Sequence, residues 1–390
     1  MSTSRPSAAS TTSGKERYWS SSRAMVTCSS CPTIPPLHSC QLCLAMVYSP
    51  AYDSQLRCCM SADADTYVAL VDLGGSQIRV AISDLEGHFA VRISRPTPSR
   101  EGGEAILEAL ITAIQDTIST ARVPVAAIAI AAPGPLDPRR GIVARAPNLP
   151  GWTDVPLVHI MEERLGLPTL LGNDANLAAL AEREFGAARG HQDVIYLTIS
   201  TGIGGGVITD GVLLVGSHGY AAELGHNSIM ADGPLCACGN RGCVETLASG
   251  PAIARQAREA IAAGGVSQLV GMCGGDLSAI TAKMVTEAAE QGDELARQVF
   301  RKAGEYLGVA ITNFLYTFDP TIVVLGGGVS KAGPLLFEPV LATVQARIPR
   351  AYWEHVRIVP AALGDDVSLM GALALYLSQE RARADTRYTK

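Results

Sequence analysis

The chain has 390 residues, 47% of them apolar and 17% charged, with a formal net charge of −6. That balance supplies core for about two or three domains and excludes a collagen-like repeat, a small disulfide scaffold and disorder along the whole length. The acidic charge argues against a dedicated nucleic-acid binder, which needs a basic face, and apolar runs such as 125–132 and 322–325 fall far short of the roughly 20 residues of a membrane-spanning helix.

Residues 1–64 are rich in Ser, Thr, Pro and Arg, Glu16 is the only acidic residue before Asp53, and no hydrophobic period persists, which predicts a disordered extension. Six of the ten cysteines lie here, and Cys28, Cys31, Cys40 and Cys43 with His38 admit a small zinc knot, although the eight-residue gap between the pairs is short. The same composition suits a transit peptide, and Met60 admits a third reading, a dispensable tail upstream of a second start. No basic start followed by an apolar stretch marks a secretory signal, so a reducing cytoplasm is expected.

From Tyr67 the texture changes. Residues 67–73 read as a strand, Gly74-Gly75-Ser76 as a turn and 78–83 as a second strand, together a hairpin. Helical periodicity follows at 104–120, then a short apolar strand at 126–131. Residues 168–172 lead through Asn173-Asp174 into a helix at 176–185. The strand, glycine turn, strand pattern then recurs, with 194–200, the run Thr201-Gly202-Ile203-Gly204-Gly205-Gly206, and a return closing at Asp210-Gly211. Helices at 281–291 and 293–314 precede a buried strand, 322–325, and a third glycine run, Gly326-Gly327-Gly328. Helices alternating with short apolar strands indicate α/β layering in two lobes.

Several of these residues carry chemistry. Asp72 ends a strand beside a turn whose glycines let backbone amides approach an anion, although a plain hairpin would look the same. Thr201-Gly202-Ile203-Gly204 and Gly326 to Gly328 are open to the same two readings. Asn173-Asp174 suits either a helix N-cap or a carboxylate that accepts the proton of an attacking hydroxyl. His226 with Cys236, Cys238 and Cys243 offers three thiolates and an imidazole, a closed tetrahedral shell for a structural zinc ion. Glu223 and Glu245 flank that shell as carboxylate acceptors for paired sugar hydroxyls, or as solvated surface residues. Neither a P-loop, nor a G-x-G-x-x-G dinucleotide turn, nor a protein-kinase catalytic loop is present.

Residues 197–226 together with Cys236-x-Cys238-Gly239-x-x-Gly242-Cys243-x-Glu245 resemble the ROK family of repressors, open reading frames and kinases, most nearly its zinc-containing bacterial glucokinases, over about 66–380. The resemblance implies a two-lobed actin-like, ribonuclease-H-like fold with ATP and sugar in the cleft between lobes. It implies a small lobe at 65–175, joined by a C-terminal helix at 370–382, and a large lobe at 176–369 carrying the zinc loop. By the same resemblance Asp174 is the general base, and Asn148, Asn173, Asp174, Glu223, His226 and Glu245 bind the sugar. Asp72, Gly74, Gly75, Ser76, Thr201, Gly202 and Gly204 hold phosphates with Mg²⁺, and Gly326, Gly327 and Gly328 border the adenosine.

Ser76 and Gln77 replace the usual Thr and Lys of the first phosphate turn, which predicts weakened nucleotide binding there. The implied reaction is ATP-dependent phosphorylation of a hexose at its 6-hydroxyl, glucose to glucose 6-phosphate first, with N-acetylmannosamine, N-acetylglucosamine or fructose as alternative substrates and polyphosphate as an alternative donor. A homodimer or homotetramer without nucleic-acid or membrane partners is expected. The rival within the family is a sugar-responsive repressor, but residues 1–64 lack the paired amphipathic helices of a helix-turn-helix.

Overall fold

The computed structural model describes residues 66–146 and 148–388, with side chains through residue 384. The readings of residues 1–64, including the zinc knot of Cys28, Cys31, Cys40 and Cys43, lie outside the described residues.

In chain order the elements are β1 (Tyr67–Leu73), β2 (Gln77–Ser83), β3 (Phe89–Pro96), α1 (Gly103–Ala121), β4 (Val125–Ala132), β5 (Leu136–Asp137), β6 (Ile142–Arg145), β7 (Thr153–Val155), α2 (Leu157–Leu165), β8 (Thr169–Asn173) and α3 (Asp174–Glu184). There follow β9 (Val194–Ile199), β10 (Ile203–Thr209), β11 (Val212–Leu213), α4 (Val244–Ala248), α5 (Gly250–Ala262), α6 (Leu269–Met272), α7 (Ala282–Glu290), α8 (Glu294–Phe318), β12 (Ile322–Gly326), α9 (Pro334–Arg347), β13 (Arg357–Pro360) and α10 (Val367–Tyr388). Two five-stranded mixed sheets result, ordered β3-β2-β1-β4-β8 and β11-β10-β9-β12-β13, with β5, β6 and β7 forming a small third sheet.

Strand period explains the layering. Successive side chains of a strand point to opposite faces, and β1 divides accordingly. Ala69, Val71 and Leu73 pack with Ile106, Leu110 and Ile111 of α1, whereas Val68 and Leu70 pack with Leu369, Ala372 and Leu373 of α10. The second sheet repeats the device. Ile195, Leu197 and Ile199 of β9 face Phe300, Leu307 and Ile311 of α8, and Val194 and Tyr196 face Leu177 and Leu180 of α3. Helices α3 and α10 therefore lie between the sheets. They approach closely because Gly371 has no Cβ, which would sit 2.5 Å from the Leu177 carbonyl oxygen.

Glu182 clamps this middle layer. Its carboxylate is wholly buried on α3 and accepts the amides of Ala187 at 2.7 Å, Ala362 at 3.0 Å and Leu363 at 3.0 Å, tying α3 to the segment before α10. Helix α8 outruns the apolar periodicity that predicted an end at residue 314. Tyr316 and Thr317 face solvent and break the pattern, but the backbone continues to Asp319, whose left-handed conformation (φ 45°) stops it before Pro320. The third sheet was not anticipated, because strands of two to four residues are too short to display alternation. Among the described residues no helix is long and apolar enough to cross a membrane.

Candidate active site and cysteine cluster

Strand β8 hands over directly to α3, and the two residues at that junction divide their work. Asn173 is extended, and its Oδ1 accepts the amides of Ala175 and Asn176, each at 3.1 Å, so the N-cap reading holds for Asn173. Its Nδ2 faces Gly134, where an added Cβ would lie 2.9 Å away. Asp174 accepts the Ala175 amide at 2.8 Å, and the residue is exposed. Desolvation of the carboxylate pushes it up to about 6, the Ala175 amide opposing and the charges of Asp72 and Glu223 adding. Such a group is deprotonated at neutral pH yet basic enough to take a proton.

Asp72 is the penultimate residue of β1, just before the first glycine turn. Both Nε and Nη2 of Arg79 reach its Oδ2, at 2.7 and 2.6 Å, and Arg79 Nη1 donates to the Asp365 carbonyl at 2.6 Å. Arg79 gave no signal in the sequence as a site residue. The turn from Gly74 to Ser76 is tight, with the Gly74 amide donating to Gln77 O at 2.9 Å. Gly75 abuts Asn148, whose carbonyl oxygen would lie 2.7 Å from an added Cβ, so the first turn and the loop carrying Asn148 are in contact.

The second glycine run separates into two functions. Thr201 and Gly202 form the turn, and the Ile203 amide donates to Glu245 Oε2 at 2.9 Å. Gly204, expected in the turn, lies within β10, where an added Cβ would sit 2.9 Å from Ala175 Cβ. Gly206 likewise admits Ala179, and Gly205 admits Leu224. These three glycines let α3 and the loop around residue 224 press onto the strand. In the third run an added Cβ on Gly326 would meet Tyr196 Oη at 2.4 Å, and Gly327 has φ +84° against Ile199, whereas Gly328 faces open space. Gly326 stands beside Thr198 in register, so the third run borders the second turn.

The cysteine loop is a knuckle. Cys236 N–H donates to Asn240 O at 2.7 Å and Gly239 N–H to Cys236 O at 2.9 Å, with Gly239 (φ 92°) and Gly242 (φ 64°) supplying the left-handed turns. One ligand atom each from His226, Cys236, Cys238 and Cys243 lies within 4.8 Å of all the others. His226 Nδ1 is 3.6 Å from Cys236 Sγ, and Cys238 Sγ is 3.8 Å from Cys243 Sγ. Zinc bonds of about 2.3 Å to sulfur and about 2.1 Å to nitrogen give tetrahedral edges of roughly 3.8 and 3.6 Å, so this donor set fits that ion.

Glu245 joins cluster to cleft, since its Oε1 lies 3.9 Å from Cys236 Sγ while its Oε2 holds the second turn. It is therefore not a solvated surface carboxylate. Glu223 opens to the cleft; burial pushes its carboxyl up, the His226 ring opposes this, and Glu245 adds to it. Behind Asn173 a cavity of about 770 Å³ runs between β8 and residues 213–219, apart from the carboxylates of the cleft.

The family model for the ROK family matches residues 68–379. The chain is similar to the glucokinase of Thermotoga maritima, 37% identical over 305 residues that span 78% of this chain and 95% of that protein. It is also similar to the glucokinase of Streptomyces coelicolor, 35% identical, spanning 78% of this chain and 96% of the relative. Among solved structures, a ROK family glucokinase from Streptomyces griseus in complex with glucose and AMPPNP superimposes with a TM-score of 0.69 at 36% identity, covering 79% of this chain and 98% of that one.

Proposed function

The chain belongs to the ROK family, and from that premise we propose that it transfers the γ-phosphoryl group of ATP to the 6-hydroxyl of glucose. Its fold is the two-lobed actin-like ATPase fold. The observation that carries the reading is Asp174, whose carboxyl is raised to about 6 by burial, with the charges of Asp72 and Glu223 adding to it. A base so poised beside two glycine turns suits phosphoryl transfer to an alcohol.

In this reading residues 65–175 with helix 370–382 form the small lobe and 176–369 the large one. Asn148, Asn173, Glu223, His226 and Glu245 bind the sugar's other hydroxyls and aim the 6-hydroxyl along the line of attack. Asp174 takes the hydroxyl proton as the sugar oxygen bonds to phosphorus and the bond to the β–γ bridging oxygen breaks, releasing ADP. Amides of the turns at Gly74 to Ser76 and Thr201 to Gly202 hold the phosphates, and Gly326 to Gly328 border the adenosine. Asp72, one oxygen held by Arg79, keeps the other for hydrated Mg²⁺, which neutralises phosphate charge when bound. His226, Cys236, Cys238 and Cys243 would hold zinc, whose contribution is to anchor the loop carrying Glu223 and Glu245. A cytoplasmic homodimer or homotetramer completes the proposal.

The test is purified protein with MgATP, an ADP-coupled readout and a panel of glucose, fructose, mannose, N-acetylglucosamine and N-acetylmannosamine, repeated with polyphosphate as donor. Glucose as the substrate of highest kcat/KM supports the proposal. Preference for an N-acetylated sugar redirects it, and no nucleotide consumption with any sugar ends it.

A further inference from the structure

Residues 97–102, between β3 and α1, carry no motif, yet they hold the first glycine turn by all three of its carbonyls. Thr97 Oγ1 donates to Gly74 O at 2.7 Å, Ser99 Oγ to Gly75 O at 2.5 Å and the Thr97 amide to Ser76 O at 2.9 Å. Within a trans peptide the C=O of one residue and the N–H of the next point in opposite directions. Fixing the carbonyls of Gly74 and Gly75 on the Thr97 side therefore turns the amides of Gly75 and Ser76 to the other side. Among the described residues neither of those amides has an acceptor. A turn left free could rotate its peptide planes and present carbonyl oxygens, which repel phosphate oxygens, in place of amides, which bind them.

We propose that Thr97 and Ser99 are positioning residues that pre-set the turn from Gly74 to Ser76 as a phosphate-binding nest, an inference that rests on the kinase reading above. Donors aimed in advance cost no reorganisation when the nucleotide arrives. The placement is economical, because Thr97 is 9% exposed and both its hydroxyl and its amide bond the turn, while Ser99 is half-buried. The same segment runs on to Gly103, whose carbonyl accepts Trp152 Nε1–H at 3.1 Å. It thus braces both the phosphate turn and the loop that brings Asn148 against Gly75.

The experiment compares Thr97→Val, Thr97→Ser, Ser99→Ala and the Val/Ala double variant with wild type. KM for ATP and KM for glucose are measured in full, and AMPPNP affinity is measured by calorimetric titration. Each lost hydroxyl should raise KM for ATP and weaken AMPPNP roughly three- to tenfold, the factor for one neutral hydrogen bond. KM for glucose and the thermal midpoint should move little, and Thr97→Ser should restore nucleotide affinity. Ser99→Ala, at a half-buried position, keeps the test open if Thr97→Val folds poorly. Unchanged AMPPNP affinity in every variant overturns the inference, as does a loss shared equally by glucose and thermal midpoint that serine does not repair. Absent turnover in wild type overturns the kinase reading alone, since the titration reads the brace without turnover; wild type that fails to bind AMPPNP overturns both.

Discussion

Exchanging Asp174 for Asn separates proton acceptance from shape. An amide oxygen can still accept the Ala175 amide, now bonded at 2.8 Å, and the cap from Asn173 is untouched, so α3 should start as before. What disappears is a carboxyl whose pKa is about 6, the base of the proposed reaction. Losing general-base help costs roughly 10²- to 10⁴-fold in kcat, or about 2.7 to 5.4 kcal/mol of barrier. The pH profile supplies an independent signature. Wild-type kcat/KM should fall about tenfold per unit below pH 6 as Asp174 protonates, and that limb should be missing from the variant.

Stability should move the other way. The folded pKa is raised above the ordinary carboxylate value, so the native state binds the proton more tightly than the unfolded chain. Asp174 therefore loses stability as pH rises from 3.8 through about 6, and it carries the full penalty at pH 7. Asn has no charge to desolvate, so the variant's thermal midpoint at pH 7 should be no lower than that of wild type. Near-normal turnover in Asp174→Asn, or an acid limb that survives in it, would refute the assignment.

Elemental analysis should find one zinc per chain, and Cys243→Ser should remove it and raise KM for the sugar roughly tenfold, the cost of about 1.4 kcal/mol of lost positioning; metal-free protein with normal KM would contradict the anchoring role. Arg79→Ala should lower kcat/KM for ATP by about 10- to 100-fold, the range for a hydrogen bond to a charged group, while Lys restores only part because it cannot reproduce the two-point grip. Steady-state kinetics on varied ATP decides it, and an unaltered Ala variant would free Asp72 from Arg79. Glu182→Ala leaves three amides without their buried acceptor and should cost on the order of 3 kcal/mol in denaturant unfolding, with a change under about 1 kcal/mol sinking the clamp.

What the sequence disclosed and what it withheld differ by the range of the interaction. His226, Cys236, Cys238 and Cys243 lie within eighteen residues of one another, and the cluster they form was readable because thiolates and imidazole at short spacing have few alternative uses. Hairpins and long helices were readable for a similar reason, since strand alternation and helical period are local. Arg79 reaches the Asp365 carbonyl across 286 positions and Glu182 reaches Leu363 across 181, and no local pattern marks either partner. Thr97 and Ser99 escaped in the same way, being ordinary loop residues until the chain brings Gly74 and Gly75 back to them.

The glycines are the instructive middle case. Four in the stretch from Gly202 to Gly206 suggested a phosphate turn, yet only Gly202 belongs to the turn, and the other three are explained by contacts with Ala175, Ala179 and Leu224. A missing side chain looks the same in sequence whether it makes room for a ligand or for a neighbouring helix. The distinction has a functional consequence, because Gly204 and Gly206 seat the first turn of α3, the helix that begins with Asp174. A Cβ on Gly206 would fall 2.8 Å from the Ala175 carbonyl oxygen, backbone that cannot yield without moving the start of α3. Gly204, read as a nucleotide ligand, thus acts on the placement of Asp174, by fixing the strand against which its helix is set.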